Sequence, residues 1–351
     1  MIQRKRSRTC RKVAEKPDFF DGLPDDLVIS ILRKLIGSSA SRPSDFINVL
    51  ITCKKLNRLG LHPLVLSKAG PKALAVQAKN WSDAAHRFLK RCVSAGNIEA
   101  CYTLGMIRFY CLRDRASGIS LMAKAAIRSH APALYSLSVI QFNGSGSSKD
   151  EKDLRAGVAL CGRAASLGHV DALREFGHCL LDGYGIRQDI EKGRRLLVEA
   201  NVREFMLILS EKLTRHPRYN YYFGRGTGSP FSGRLLLNEI RYNVRVQEVH
   251  PVNRFLKEWF ESGKGGLEHG LRSCSHTGCG RPETRAREFR RCSVCGKVNY
   301  CSRGCQANDW KVRHKIECAP LDPLIYVNDD GVAGMAEIEP AEDVGAIHDM
   351  D

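Results

Sequence analysis

The sequence predicts a mainly α-helical protein that ends in a small metal-knit module, and three observations predict it. Apolar residues recur every four positions from Leu23 to Leu35, the spacing of one helical face. A helix-turn-helix unit recurs across residues 97–201, the signature of a short α-solenoid. Finally, Cys274, Cys279, Cys292, Cys295, Cys301, Cys305, His314 and Cys318 stand as four close pairs, enough donors for two tetrahedral zinc ions. A chain of 351 residues holds two or three units of ordinary domain size.

Residues 1–17 carry Arg4-Lys5-Arg6-Ser7-Arg8 and Arg11-Lys12 without an apolar h-region, so they are a disordered basic tail and not a signal peptide. The cluster resembles a nuclear-import signal, with a merely solvated tail as the other reading. In residues 18–66, Pro24, Asp25 and Asp26 fill a first helical turn while Leu23, Leu27, Ile31 and Leu35 form its stripe. Val28, Ile29 and Leu32 widen that face beyond what one neighbouring helix covers. A second helix is predicted over Phe46 to Leu59, with Phe46, Val49, Leu50, Cys53 and Leu56 at helical spacing.

The pair resembles an F-box, whose opening reads Leu-Pro-x-x-Leu and whose later helix carries Cys-Lys-x-Leu, here Cys53-Lys54-Lys55-Leu56. The resemblance implies docking to the Skp adaptor, and through it the cullin, of a ubiquitin ligase, with Leu23, Pro24, Leu27, Ile31 and Leu32 as the contact. The loop from Gly37 to Ser44 is longer than that family's. A hairpin packed only on its own chain is the alternative.

Residues 67–96 read as a helical connector, with Phe88 to Gly96 as the second half of a worn repeat. In the repeats proper, Ala100, Ala133 and Ala172 mark equivalent helix starts, and the second helices end in Ala125-Ala126, Ala164-Ala165 and Glu199-Ala200. Small residues at these positions let paired helices approach closely, and each unit buries a face only against its neighbours. The units resemble Sel-one-like repeats, relatives of the tetratricopeptide class, most clearly at Asp182-Gly183-Tyr184-Gly185. Their concave side is expected to bind protein; a plain helical spacer is the alternative. Residues 202–270 lose periodicity and read as a linker. Within it, Pro251 opens a short helix at 251–262 whose Phe255, Trp259 and Phe260 are expected to pack on the zinc module or the solenoid end, or to serve a partner.

Zinc sites with all four positions filled by protein donors leave none to activate water, so both ions fold a module and catalyse nothing. Residues 271–320 hold almost no core without them, and metal binding should supply on the order of 10 kcal/mol or more per site. The order Tyr300-Cys301, Cys305-Gln306, Trp310, His314 and Cys318 resembles a MYND-type finger. That resemblance implies a cross-brace, with Cys274, Cys279, Cys301 and Cys305 on the first zinc and Cys292, Cys295, His314 and Cys318 on the second. It also implies that Gln306 and Trp310 bind a short proline-containing peptide; Trp310 reads equally as cover for the zinc helix. Four residues separate Cys274 from Cys279 where the family has two, and His276 in the gap is either a substitute ligand or a surface histidine.

The chain is formally +17, which raises a nucleic-acid reading, but the charge is ill placed for it. From Leu271 to Pro320 eleven Lys and Arg face four acids, a formal +7, which seven ligand thiolates and two zinc ions bring to about +4. Residues 321–351 form an acidic tail expected to be disordered, with eight acids and no Lys or Arg from Asn328 on. No apolar run approaches the ~18 residues that span a bilayer, and thiol ligands require a reducing compartment, so nucleus and/or cytoplasm is expected. No catalytic constellation emerges: Gly224 to Gly228 lacks the Lys-Ser/Thr of a phosphate loop. F-box, Sel-one-like repeats and C-terminal MYND finger together resemble a plant F-box family. That resemblance implies a non-catalytic subunit of a ubiquitin ligase, bridging adaptor and an unknown protein substrate. A scaffold or transcriptional adaptor for proline-containing partners is the alternative.

Overall fold

The computed structural model describes residues 22–38, 43–215, 249–263, 265–320, 325–327 and 333–335. The basic tail, residues 216–248 of the 202–270 linker and most of the acidic tail lie outside the described residues. The chain divides into two compact units: one runs from the N-terminus to Ala75 and takes in Ser82–Ala100, and the other comprises Val76–Trp81 and everything from Cys101 on.

In the first unit, α1 (Asp25–Gly37) carries Asp25 and Asp26 in its first turn and Lys34 in its last, matching the helix dipole at both ends. It buries Val28, Leu32 and Ile36, each contributing roughly 1.5–3 kcal/mol. The predicted run from Phe46 to Leu59 is two helices, α2 (Pro43–Thr52) and α3 (Lys54–Gly60). Cys53 breaks it: its backbone is extended and its Sγ accepts the Leu56 N–H at 3.4 Å, an N-cap in mid-run. Lys55 Nζ donates to the Leu23 carbonyl at 2.9 Å and Arg58 pairs with Asp25 at 2.8 Å, which closes α3 over the start of α1. After α4 (Pro63–Leu66), α5 (Asp83–Ser94) brings Phe88 to 6.5 Å from the Phe46 ring. Asn97 Nδ2 donates to the carbonyls of Leu66 and Ala69 at 2.8 and 2.9 Å.

Helix α6 (Ile98–Met106) leads into the repeats, which continue as α7 (Arg115–Ile127), α8 (Ala131–Asn143), α9 (Leu154–Ser166), α10 (Val170–Asp182) and α11 (Ile190–Arg215). The repeat register shows in side chains as well as in backbone. His130 and His169 cap α8 and α10, each accepting through Nδ1 at 3.3 Å, where Asn97 does the same for α6 at 2.8 Å. The Tyr102 ring lies 5.0 Å from His130 and the Tyr135 ring 4.8 Å from His169, both tilted, so α6 and α8 each set a tyrosine against the next repeat's cap. Helix pairs cross at small residues: a Cβ at Gly105 would come within 2.8 Å of Met122, and one at Gly193 within 2.8 Å of the Gly177 carbonyl. Ser138 takes the place of Gly105 and Gly177 in the middle repeat.

The linker expected from residue 202 is helical to Arg215. Nothing between Asn201 and Arg215 is Gly or Pro, so no breaker interrupts the run. Helix α12 (Pro251–Glu261) buries Val252, Phe255, Leu256 and Trp259. Trp81 meets Phe255 and Trp259 edge-on at 5.4 and 6.5 Å, and His250, which caps α12, lies 4.8 Å from Tyr102. The zinc module follows: β1 (Arg290–Arg291) pairs antiparallel with β2 (Asn299–Tyr300), then come α13 (Arg303–Asp309), a widened turn over Trp310–His314, and α14 (Lys315–Glu317). The C-terminal stretch is not tail throughout, because β3 (Ile325–Val327) pairs with β4 (Ala333–Met335); Ile325, Tyr326 and Val327 are strand-forming residues.

Candidate metal centre

Two groups of four donors converge, Cys274–Cys279–Cys301–Cys305 and Cys292–Cys295–His314–Cys318, with the donor atoms of each group within 4.8 Å of one another. Cys279 Sγ lies 3.5 Å from Cys301 Sγ, Cys301 Sγ 3.6 Å from Cys305 Sγ, Cys292 Sγ 3.9 Å from Cys318 Sγ and Cys295 Sγ 3.6 Å from His314 Nε2. A tetrahedron of sulfurs about 2.3 Å from zinc has edges of about 3.8 Å, so the donor sets fit two zinc ions. Burial pushes the Cys274 thiol up, while hydrogen bonds from Cys274, Cys301 and Cys305 hold Cys279 well below the usual thiol range. Four thiols this close share protons among themselves, and only a bound cation makes all four thiolate together. His276 is in neither group.

Local backbone builds the sites. Cys274 N–H donates to the Arg281 carbonyl at 2.8 Å and Cys279 N–H to the His276 carbonyl at 3.0 Å, folding the first pair into a tight loop. Gly280, at φ +72°, follows it because a Cβ there would lie 2.4 Å from the Asn253 carbonyl of α12. The second pair occupies the turn between β1 and β2, where the Gly296 N–H meets the Cys292 carbonyl at 2.9 Å. Ser302 Oγ caps α13 by accepting the Cys305 N–H at 3.0 Å. Two buried carboxylates stitch the rest: Glu283 accepts the N–H groups of Phe289 and Arg272, both at 3.0 Å. Glu288 accepts from Thr284 N–H at 2.6 Å and Arg285 N–H at 3.2 Å and from the Ser145 hydroxyl.

The finger does not stand apart from the repeats. Asn143 Nδ2 donates to the Cys301 carbonyl at 2.8 Å, the Tyr135 hydroxyl meets Ser302 Oγ at 3.0 Å, and Gly304 N–H donates to the Glu175 carboxylate at 2.9 Å. Asn308 reaches Asp171 at 3.0 Å and Lys311 reaches Glu204 at 2.7 Å. Side chains of α8, α10 and α11 that could have met a protein partner are therefore engaged by the chain's own finger. Arg281, Glu283, Glu288, Asn143, Tyr135 and Glu175 were not singled out by sequence reasoning; the one local hint was the presence of charged residues between the cysteine pairs.

Trp310 is 42% exposed yet has its ring 5.7 Å from that of the ligand His314, so it covers the second site and still presents a face to solvent. Gln306 is half-buried beside it. Of the residues expected to meet an adaptor, Pro24, Leu27 and Ile31 are exposed and Leu23 is half-buried. Leu32 differs: it is core, because it lies one turn from Val28 and Ile36 on the buried row of α1.

The family described as MYND finger matches residues 274–318, and the one described as plant tetratrico peptide repeats matches residues 71–157. Two F-box proteins of Arabidopsis thaliana are similar along most of their length. One is 64% identical over 91% of this chain and 92% of its own length. The other is 61% identical over 90% and 84% respectively. Among solved structures, a Sel1 repeat protein from Oxalobacter formigenes superposes with a TM-score of 0.30 at 20% identity, covering 34% of this chain and 89% of its own. By its similarity to the two Arabidopsis proteins, the chain belongs to their family of F-box proteins, with a C-terminal MYND finger that brings together donors for two zinc ions.

Proposed function

We propose that this chain is the substrate-recognition subunit of a Skp-cullin-F-box ubiquitin ligase, its N-terminal helices holding the Skp adaptor and its repeat-and-finger unit holding a protein target. The observation that carries this reading is an apolar surface on the first unit. Leu27 and Ile31 of α1 are 49% and 48% exposed, and Ile47 and Ile51 of α2 are 53% and 74% exposed, on helices that already bury Val28, Leu32, Ile36 and Phe46 in a core. Four large aliphatic side chains left out on two short helices suit a partner's apolar groove, each gaining up to roughly 1.5–3 kcal/mol when covered. The names of the two Arabidopsis relatives support the same reading.

With those side chains of α8, α10 and α11 engaged, the target surface in this reading is the outer side of the finger, where Val294, Trp310, Val312 and Ile316 are exposed. A short proline-containing segment is the partner class proposed there. The chain contributes proximity, bringing target lysines to a ubiquitin-loaded enzyme, and performs no bond chemistry itself. We place it in the nucleus and/or cytoplasm; no helix among the described residues is long and apolar enough to cross a membrane.

The test is co-purification of the Skp adaptor and cullin with the intact chain beside a Leu27→Asp, Ile31→Asp double variant. Adaptor held by the wild type and lost by the variant is the expected result. Adaptor bound equally by both would refute the assigned surface, and adaptor bound by neither would favour a scaffold role for the finger.

A further inference from the structure

We infer that the helical repeats supply the outer shell of the Cys274–Cys279–Cys301–Cys305 zinc, so that side chains of α8 and α10 set the affinity of this ion and leave the second ion alone. A zinc held by four thiolates keeps two negative charges in excess, whereas three thiolates and a neutral imidazole keep one. Burying the larger excess is costly unless donors and a countercharge meet it. The structure provides both from the repeats or through them. Arg281 is itself buried and sits with Nη1 3.4 Å from Cys279 Sγ. Its other arm, Nη2, donates to Ser136 Oγ of α8 at 2.9 Å, and its guanidinium lies 5.8 Å from the Tyr135 ring centroid. Ser136 Oγ is in turn 3.1 Å from the Tyr102 hydroxyl, so a polar chain runs from α6 through α8 to a metal ligand.

Two more ligands are held the same way. The carbonyl of Cys301 is fixed by Asn143 Nδ2. Cys305 is oriented by Ser302 Oγ, which the Tyr135 hydroxyl meets, and by Gly304, whose N–H the Glu175 carboxylate accepts. Partners of the second group come from the finger: Lys297 N–H approaches Cys295 Sγ at 3.5 Å and Cys292 N–H meets the Val298 carbonyl at 2.9 Å. Around it Arg291, Ser293, Val294 and Lys297 are exposed and Cys318 is only half-buried. Ser136, Asn143 and Tyr135 are thus positioning residues for a zinc that none of them touches, and the two ions are inequivalent.

Zinc release from the full-length, zinc-loaded chain to a chromogenic chelator tests this. Two phases are expected, and His314→Ala, which deletes a ligand of the second group, removes the fast one. Ser136→Ala and Asn143→Ala are each expected to accelerate the slow phase by about 10- to 100-fold, the usual cost of losing an outer-shell partner, with the fast phase unchanged. Ser136→Ala deletes the hydroxyl that meets Arg281 and Tyr102 and Asn143→Ala the one amide contact to Cys301, and neither removes a large core side chain, so folding is expected to survive; a circular-dichroism spectrum matching the wild type confirms it. Acceleration of both phases alike would mean general loosening of the fold and would overturn the assignment, as would a single release phase in the wild type or an unmoved slow phase in both variants.

Discussion

Lowering the pH from about 7.5 to about 5.5 should cost the repeats stability through His169, beside a contribution of the same sign from His178, which burial also holds below the ordinary imidazole value. His169 is buried and its Nδ1 accepts the Ala172 N–H at 3.3 Å as the N-cap of α10, a role only the unprotonated nitrogen can fill. Burial, with help from Arg281, His130 and His250, drops it from an ordinary 6.5 to about 3. The unfolded chain therefore takes up a proton below pH 6.5 that the folded chain refuses until about pH 3. Stability is whole above the upper value, falls as pH drops through the window, and levels off near the lower one. One pH unit below the unfolded value the loss is about 1.4 kcal/mol. His169→Asn keeps a capping acceptor, as Asn97 does for α6, and removes the titration. In urea unfolding of zinc-saturated protein, the wild type should lose about 1.4 kcal/mol more than the variant between the two pH values. The zinc thiolates titrate in both proteins and cancel in the comparison. A difference within a few tenths of a kcal/mol would refute the assignment of a neutral, capping His169.

Three further outcomes are expected. Leu32→Ala should cost roughly 2–5 kcal/mol as a large-to-small change in the core of the first unit, whereas Leu27→Ala, four residues from Ile31 on the exposed row, should fall within about 0.5 kcal/mol; denaturant midpoints distinguish them. Gly193→Val would bring a Cβ within 2.8 Å of the Gly177 carbonyl and should destabilise by about 1–3 kcal/mol or more as overpacking between α10 and α11, visible as a lower Tm. His314→Ala should reduce zinc from two ions per chain to one by elemental analysis while leaving the far-ultraviolet helical signal of the repeats in place; loss of both ions would mean the two sites load as one.

Much of this protein was legible in its sequence because the relevant physics is local. Metal ligands announce themselves by spacing, since a pair such as Cys301 and Cys305 must close on one ion from within a turn; which pairs share an ion was implied only by the resemblance to a MYND finger, and the donors gather in those two groups. The repeats are legible for a similar reason, since crossing helices at Gly105–Gly118 and Gly177–Gly193 demands small residues at a fixed interval. The helix α1 was legible by period, but which of its two apolar rows is core was not, because Leu27 and Leu32 differ only in what stands opposite. Cys53 shows a finer limit: its amphipathic surroundings continue a helix, and only the extended backbone at that residue ends one.

Tertiary structure alone decided where the finger sits. Asn143 and Cys301, or Glu175 and Gly304, are separated by 158 and 129 positions, and no periodicity links partners that meet only after two elements have folded. Zinc chemistry dictates which side chains must gather around an ion, and so can be read from the chain itself. What surrounds those side chains is dictated by the burial of excess negative charge against whichever surface offers donors, and here that surface is the face of the repeats bearing Tyr135, Ser136 and Asn143.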